Sequence, residues 1–144
     1  MREQLVIRQG LVHDAVHRSP YMADILVEEG KIKKILPKLE EDTIKNAKIL
    51  DAAGLWVYPG FVEAHCHLGL DGYGIGFEGA DYNEVTDSLT PQLSAVDGLN
   101  PQDESIRFAM EAGVTCVAAG PGSSNVLGGT FTVYKTVGKR IDDM

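Results

Sequence analysis

The residue pattern predicts an α/β chain whose first part is all β, and three observations predict it. Residues 1 to about 57 alternate apolar and polar side chains in short runs broken by turn residues, the period-two texture of strands. After Pro59 the run Phe61 to Leu68 reads as one buried strand. From Asn100 a helical pattern leads directly into a continuous apolar, β-branched run, which is the order of a βα unit.

In the first part, Leu5-Val6-Ile7 continues into Leu11-Val12, and Ile25-Leu26-Val27 turns through Glu28-Glu29-Gly30 into Lys31 to Leu36. The latter pair is a predicted hairpin, with Gly30 supplying the positive φ of a tight turn. Pro37 ends it, a charged stretch from Lys38 to Lys48 follows, and Ile49-Leu50-Asp51 and Leu55 to Tyr58 resume the β texture. The early strands are therefore expected to form an antiparallel set. Beyond the Phe61 strand lies a glycine-rich loop, Gly69 to Asp81, and then a stretch to Leu99 in which Pro91 and β-branched residues weaken any helix. The clearest helix spans Asn100 to Ala112. Asn100 is its predicted cap, Pro101 its first residue, Asp103 and Glu104 complement its positive end, and Gly113 stops it. Val114 to Ala119 is the pattern of a parallel strand covered on both faces, Gly120 to Asn125 a loop, and Phe131 to Val137 a further strand. The division expected from these textures is 1–57 and 58–144.

Composition narrows the function. In 144 residues, 13 basic side chains stand against 21 acidic ones, a net charge of −8, while hydrophobic residues make up 44%. That hydrophobic share supports a folded core, and the acidic balance argues against nucleic acid or an anionic membrane as partner. No apolar run approaches the roughly 20 residues that span a bilayer. The N-terminus lacks the features of a signal peptide. Two cysteines, Cys66 and Cys116, form no framework and no CxxC pair, so a reducing cytoplasm is the expected location.

His65 and His67 carry the chemistry. Residues two apart on a strand share a face, so both imidazoles point one way while Cys66 points the other. Two such rings bind one divalent cation, typically zinc, at about 2.0–2.1 Å each. Spacing alone is weak, since a His-x-His arises by chance in roughly one sequence in ten of this composition, and a pair of core histidines with ordinary partners is the competing explanation. Context adds more. Pro59-Gly60-Phe61-Val62-Glu63-Ala64-His65-Cys66-His67 resembles the first barrel strand of the amidohydrolase superfamily, a Pro-Gly-Phe-Ile/Val-Asp-x-His-x-His pattern, with Glu63 where that family usually has Asp. The approach through Ile49 to Val57 resembles the same family. So do Asp97 to Pro101, Ala112 to Thr115 and Gly120 to Gly129, which are similar to its imidazolonepropionase-like members.

The resemblance implies strands of a small composite β-sandwich followed by the first βα units of a (β/α)8 TIM barrel, incomplete in this chain. It implies a metal-dependent hydrolase acting on non-peptide C–N bonds of a small molecule, such as a cyclic amide or an N-acyl group. His65 and His67 would be the first metal ligands, for zinc or alternatively iron or manganese. The family's other ligands, a lysine or glutamate, further histidines and a late aspartate, come from later strands. Such a barrel takes about 250 residues, so a truncated product or a piece of a longer reading frame is expected, inactive by itself; a homo-oligomer is compatible with the full-length protein. One or two metals, and the substrate, stay open.

Other signals compete. Gly74-Ile75-Gly76-Phe77-Glu78-Gly79 is formally a G-x-G-x-x-G after a strand, and Asp97 follows near the distance of a ribose-binding acid, so a dinucleotide-binding βαβ module on Gly74, Gly76 and Gly79 is the rival. No convincing helix opens at Gly79, where a pyrophosphate needs one. A flexible loop overhanging the metal is the simpler reading; Asp71 there is a candidate substrate contact or a solvated acid. Ser123 and Asn125, after the second barrel strand, are substrate-contact candidates or parts of a plain glycine-rich turn. His13 and His17 have i, i+4 spacing but Asp14 replaces the glutamate of a zinc-protease helix, so a surface loop is expected. Cys66 and Cys116 read as packing. Lys135 and Lys139 do not stand where the family's bridging lysine would. A non-catalytic domain completed by a partner is the remaining alternative.

Overall fold

Alternation in the first fifty residues does become a sheet. The computed structural model describes residues 4–80 and 82–144, in two units, Met1–Pro59 and Gly60–Met144. The first unit contains β1 (Gln4–Val12), β2 (Tyr21–Glu28), β3 (Lys31–Leu36), the short α1 (Glu41–Ile44), β4 (Lys48–Asp51) and β5 (Trp56–Val57). The order across the sheet is β3-β2-β1-β4, with β5 pairing β1 beyond β4. The β2–β3 hairpin turns on Glu29 and Gly30, both at positive φ (51° and 72°), the signature of a two-residue type I′ turn.

The set is not wholly antiparallel. β4 and β5 run parallel to β1, because the chain after β3 crosses back over one sheet face before it re-enters. That crossing holds α1, which the sequence pattern does not announce. Leu39 and Ile44 cover Val6 and Leu26 on that face, while Val12, Ala23 and Ile25 form a second buried group on the opposite one. The unit thus supplies a single sheet of the expected sandwich portion.

One buried carboxylate joins these parts. β1 bulges at Gln9, whose φ is 57°. Its N–H donates to Asp24 Oδ1 at 2.9 Å, and the N–H of Leu39 donates to Asp24 Oδ2 at 2.9 Å. Asp24 and Leu39 are each 2% exposed, so the Leu39 N–H would otherwise be buried without a partner, while Gln9 is exposed. Asp24→Ala is expected to cost about 2 kcal/mol in urea denaturation, from orphaning one buried donor at ~1–3 kcal/mol. A loss below about 0.5 kcal/mol, the level of an ordinary surface substitution, would refute this role.

In the second unit, β6 (Phe61–Cys66) pairs parallel with β7 (Val114–Ala119), and the crossover between them carries α2 (Ala95–Gly98) and α3 (Glu104–Glu111). β8 (Thr132–Lys135) then pairs antiparallel to β7. The chain does not launch a second helical crossover here. The glycine-rich link after β7 contains no helix, and bridges Leu89↔Leu127 and Ser94↔Thr130 tie it to the preceding loop so that it doubles back. Leu70, Leu99, Ile106, Val117, Ala119 and Tyr134 make the core. Val117 and Ala119 share its face by alternation; Cys116 lies off that face and is half-buried rather than core. β6 is also more open than expected. It is an edge strand, with Phe61 57% and Val62 69% exposed.

The helix starts later than its pattern predicts. Asp103, not Asn100, caps α3, accepting from the Ser105 N–H at 2.9 Å and from the Ser105 hydroxyl. Asn100 instead accepts from the Gln102 N–H in a preceding turn. Gly113 ends the helix at φ 92°, as expected. Among the described residues no helix is long and apolar enough to cross a membrane.

Asp103 also accepts from the Tyr73 N–H at 3.0 Å, which fastens the glycine-rich loop to α3. Burial pushes its carboxyl pKa upward, but the bonds from Ser105 and Tyr73 outweigh that and hold it below the usual value. A depressed folded pKa stabilises the fold fully above the unfolded value of about 4 and loses that contribution as pH falls through the folded value. Asp103→Ala should therefore destabilise by about 1 kcal/mol at neutral pH and by less in strong acid. Equal destabilisation at both, measured by denaturant titration, would refute the linkage.

Candidate metal centre

His65 lies near the end of β6 and His67 one residue past it. Their ring centroids are 5.9 Å apart with planes at 78°, within the roughly 5–6 Å open to two imidazoles sharing one ion at normal Zn–N lengths. Cys66 sits on the other side, packed against the core that includes Ile106, with its thiol 3.6 Å from the Ala118 carbonyl. Burial, aided by the Glu63 carboxylate, pushes that thiol's pKa up, so it is not a ready thiolate ligand. Glu63 itself turns back along the strand to accept the His65 N–H at 2.9 Å.

The orientation of His67 is set from β7. Its Nδ1 is 2.7 Å from the Gly120 carbonyl oxygen. A carbonyl only accepts, so Nδ1 carries the proton and Nε2 keeps its lone pair, the arrangement of a metal-binding histidine fixed by a backbone acceptor. Gly120 is held in turn by its own N–H, which donates to the Cys66 carbonyl at 3.1 Å. A Cβ at Gly120 would collide with the Phe131 ring. That ring lies 5.0 Å from His65, and Tyr82 stacks on His67 at 4.6 Å with planes 10° apart. From β8, the buried Tyr134 hydroxyl donates to the Leu68 carbonyl at 2.8 Å; burial raises its phenol pKa far above normal, so it remains a donor.

The donor set is partial. Among the described residues no group of three or more His, Cys, Asp or Glu side chains is placed to hold an ion. The two imidazoles fit a divalent metal in donor type, and His67 also in tautomer; together they would supply two of the three protein ligands a catalytic zinc site uses.

On the Tyr82 side of His67 the loops border a cleft of about 370 Å³, lined among others by Tyr82, Asn83, Glu84, Asp97 and Asn125. The Asn125 amide donates to the Glu84 and Asp87 carbonyls at 3.1 and 2.8 Å. Asp71 and Ser123 are exposed on their loops. The described hydrogen bonds and ring contacts join none of these three to either histidine. The Gly74–Gly79 segment ends in a three-residue 3-10 turn, Phe77–Gly79. No α-helix opens there, so a pyrophosphate has no helix N-terminus to rest on. In the first unit His13 stacks on Trp56 and Tyr58 at 4.9 and 4.7 Å, and His17 leans on the Asp14 carboxylate at 2.7 Å. They serve different local contacts.

The places of Tyr82, Gly120 and Phe131 beside the histidines are not visible in the sequence. The Gly120-Pro121-Gly122 turn is visible in sequence, but not whose proton its carbonyl receives.

No family model matches the chain. The curated "Amidohydrolase tasK" of Hapsidospora irregularis is 36% identical over 122 residues, 83% of this chain and 12% of that protein. A "Dihydroorotase" of Ruminiclostridium cellulolyticum is 31% identical over 140 residues, 97% of this chain and 27% of that protein. Among solved structures, an amidohydrolase from Thermotoga maritima MSB8 superposes with a TM-score of 0.87 at 38% identity, over 96% of this chain and 35% of that one. The chain thus spans no more than about a third of the length of these proteins.

The His67 tautomer is directly measurable. Nitrogen-15 NMR of the imidazoles is expected to show His67 protonated at Nδ1, and Gly120→Ala, which displaces Phe131 and the carbonyl, to mix the tautomers. A wild-type His67 protonated at Nε2 would contradict the geometry.

Proposed function

We propose, from the premise that this chain belongs to the amidohydrolase superfamily and corresponds to the N-terminal portion of its members, that the whole protein is a metal-dependent hydrolase of a non-peptide C–N bond in a small molecule. His65 and His67 are its first two ligands. The observation that carries this reading is the Gly120 carbonyl on His67 Nδ1, which leaves Nε2 with its lone pair on a ring whose centroid is 5.9 Å from that of His65. A divalent ion, for which zinc suits two imidazoles, supplies Lewis acidity and a lowered pKa for water when bound.

The chain's own residues orient the donors. Gly120 fixes the His67 tautomer, and Tyr82 and Phe131 each pack against one of the two rings. Cys66 anchors the strand to its core from behind. Asp71, Ser123 and Asn125 are proposed substrate contacts on the overhanging loops. Asn125 has the best support, because it lines the cleft and is already fixed by two hydrogen bonds. A cyclic amide or an N-acyl compound is the proposed substrate class, and the dihydroorotase among the relatives favours the cyclic one.

Metal titration tests the ligands. The chain is expected to bind Co²⁺ or Zn²⁺, with His65→Ala and His67→Ala each lowering affinity by about tenfold or more, and Gly120→Ala by about tenfold through loss of the oriented tautomer. Unchanged stoichiometric binding in the His65/His67 double variant would end this reading.

A further inference from the structure

The cleft beside His67 has a chemistry of its own. Its volume of about 370 Å³ falls near the small end of ligand sites, which run roughly 300–1,000 Å³. Tyr82 both lines it and stacks on His67, so cleft and imidazole share one aromatic wall. Around the rest stand Asn83, Glu84, Gln92, Asp97 and Asn125, and none of the described lining residues is a lysine, arginine or histidine. An anionic group there would meet two carboxylates and no counter-ion. A cationic one would meet opposite charge, several side-chain and backbone acceptors, and an aromatic ring. Asn83 also lines the cleft, but its amide oxygen is buried against Gly122, so the charge and the ring rather than that acceptor define the site.

We propose that this cleft is a substrate subsite for a planar, cationic, hydrogen-bond-donating group, of the amidinium or guanidinium class. The group lies against Tyr82 and is balanced by Glu84 and Asp97. This rests on the hydrolase reading for its meaning as a substrate subsite, but the binding itself requires no metal. The Thr86 hydroxyl and N–H donate to the Glu84 carboxylate and hold its pKa below the usual range, which keeps the charge in place. Tyr82 contributes a cation–π contact. The cleft would select against carboxylate-bearing compounds at this position by leaving their charge unpaired.

The test uses two probes of one shape and opposite charge, benzamidine and benzoate, titrated into the metal-free 144-residue chain and followed by amide NMR. Benzamidine is expected to shift Tyr82, Asn83, Glu84, Ser94 and Asp97, and to bind about tenfold or more tighter than benzoate. Glu84→Gln with Asp97→Asn should weaken benzamidine by about fivefold or more. Glu104→Gln with Glu111→Gln, which removes the same charge from α3, should leave it unchanged. Tyr82→Leu weakens benzamidine without restoring benzoate. Benzoate binding as tightly as benzamidine, shifts confined to other surfaces, or equal weakening by both charge-removing pairs would each overturn the proposal. Because no metal is present, failure of the metal ligands in the earlier titration would leave this result standing, and the reverse.

Discussion

Gly120 is the point at which the second unit's parts meet. Its N–H donates to the Cys66 carbonyl, its carbonyl accepts the His67 Nδ1 proton, and its bare Cα lies under the Phe131 ring that reaches His65. Strand pairing, tautomer and the apolar neighbour of both histidines therefore pass through one residue that has no side chain. Any Cβ would push Phe131 away from His65 and shift the carbonyl from His67 together. The antiparallel return of β8 supports the same point, because it delivers Tyr134 to the Leu68 carbonyl immediately after His67.

The two units solve a common problem in the same way. Where the backbone departs from regular pairing, at the Gln9 bulge and ahead of α3, N–H groups are left without ladder partners. In each place a buried aspartate takes two of them from different segments: Asp24 from Gln9 and Leu39, Asp103 from Ser105 and Tyr73. A carboxylate suits this because it only accepts and presents two oxygens. The consequence for the site is indirect but physical. Asp103 holds the loop that follows β6, so the approach to the histidines is not free chain.

Much of the histidine-bearing strand is legible in the sequence because it rests on local geometry. Alternation places His65 and His67 apart from Cys66, and the structure keeps them so. The hairpin at Gly30 and the helix stop at Gly113 follow from φ, a single-residue property. The errors share a different origin. Asn100 and Asp103 are both good caps, and only the loop that donates Tyr73 selects between them. The direction of β8 depends on whether the glycine-rich link turns back or crosses over, which the Leu89–Leu127 and Ser94–Thr130 bridges decide. The apolar run of β6 reads as buried, yet it is an edge strand, and exposure at an edge depends on neighbours that periodicity does not encode.

The sequence by itself determined the α/β class, the helix and hairpin stops, and the pairing of two imidazoles on one strand face, since each depends on residues within a few positions of one another. Only the tertiary structure decided which histidine nitrogen is free, which rings flank the pair, and that a carboxylate-lined cleft adjoins it. Those depend on Gly120, Phe131 and Tyr82, which come from separate loops and strands. A carbonyl's acceptor, or a ring's stacking partner, is a fact of three-dimensional proximity that no spacing along the chain contains.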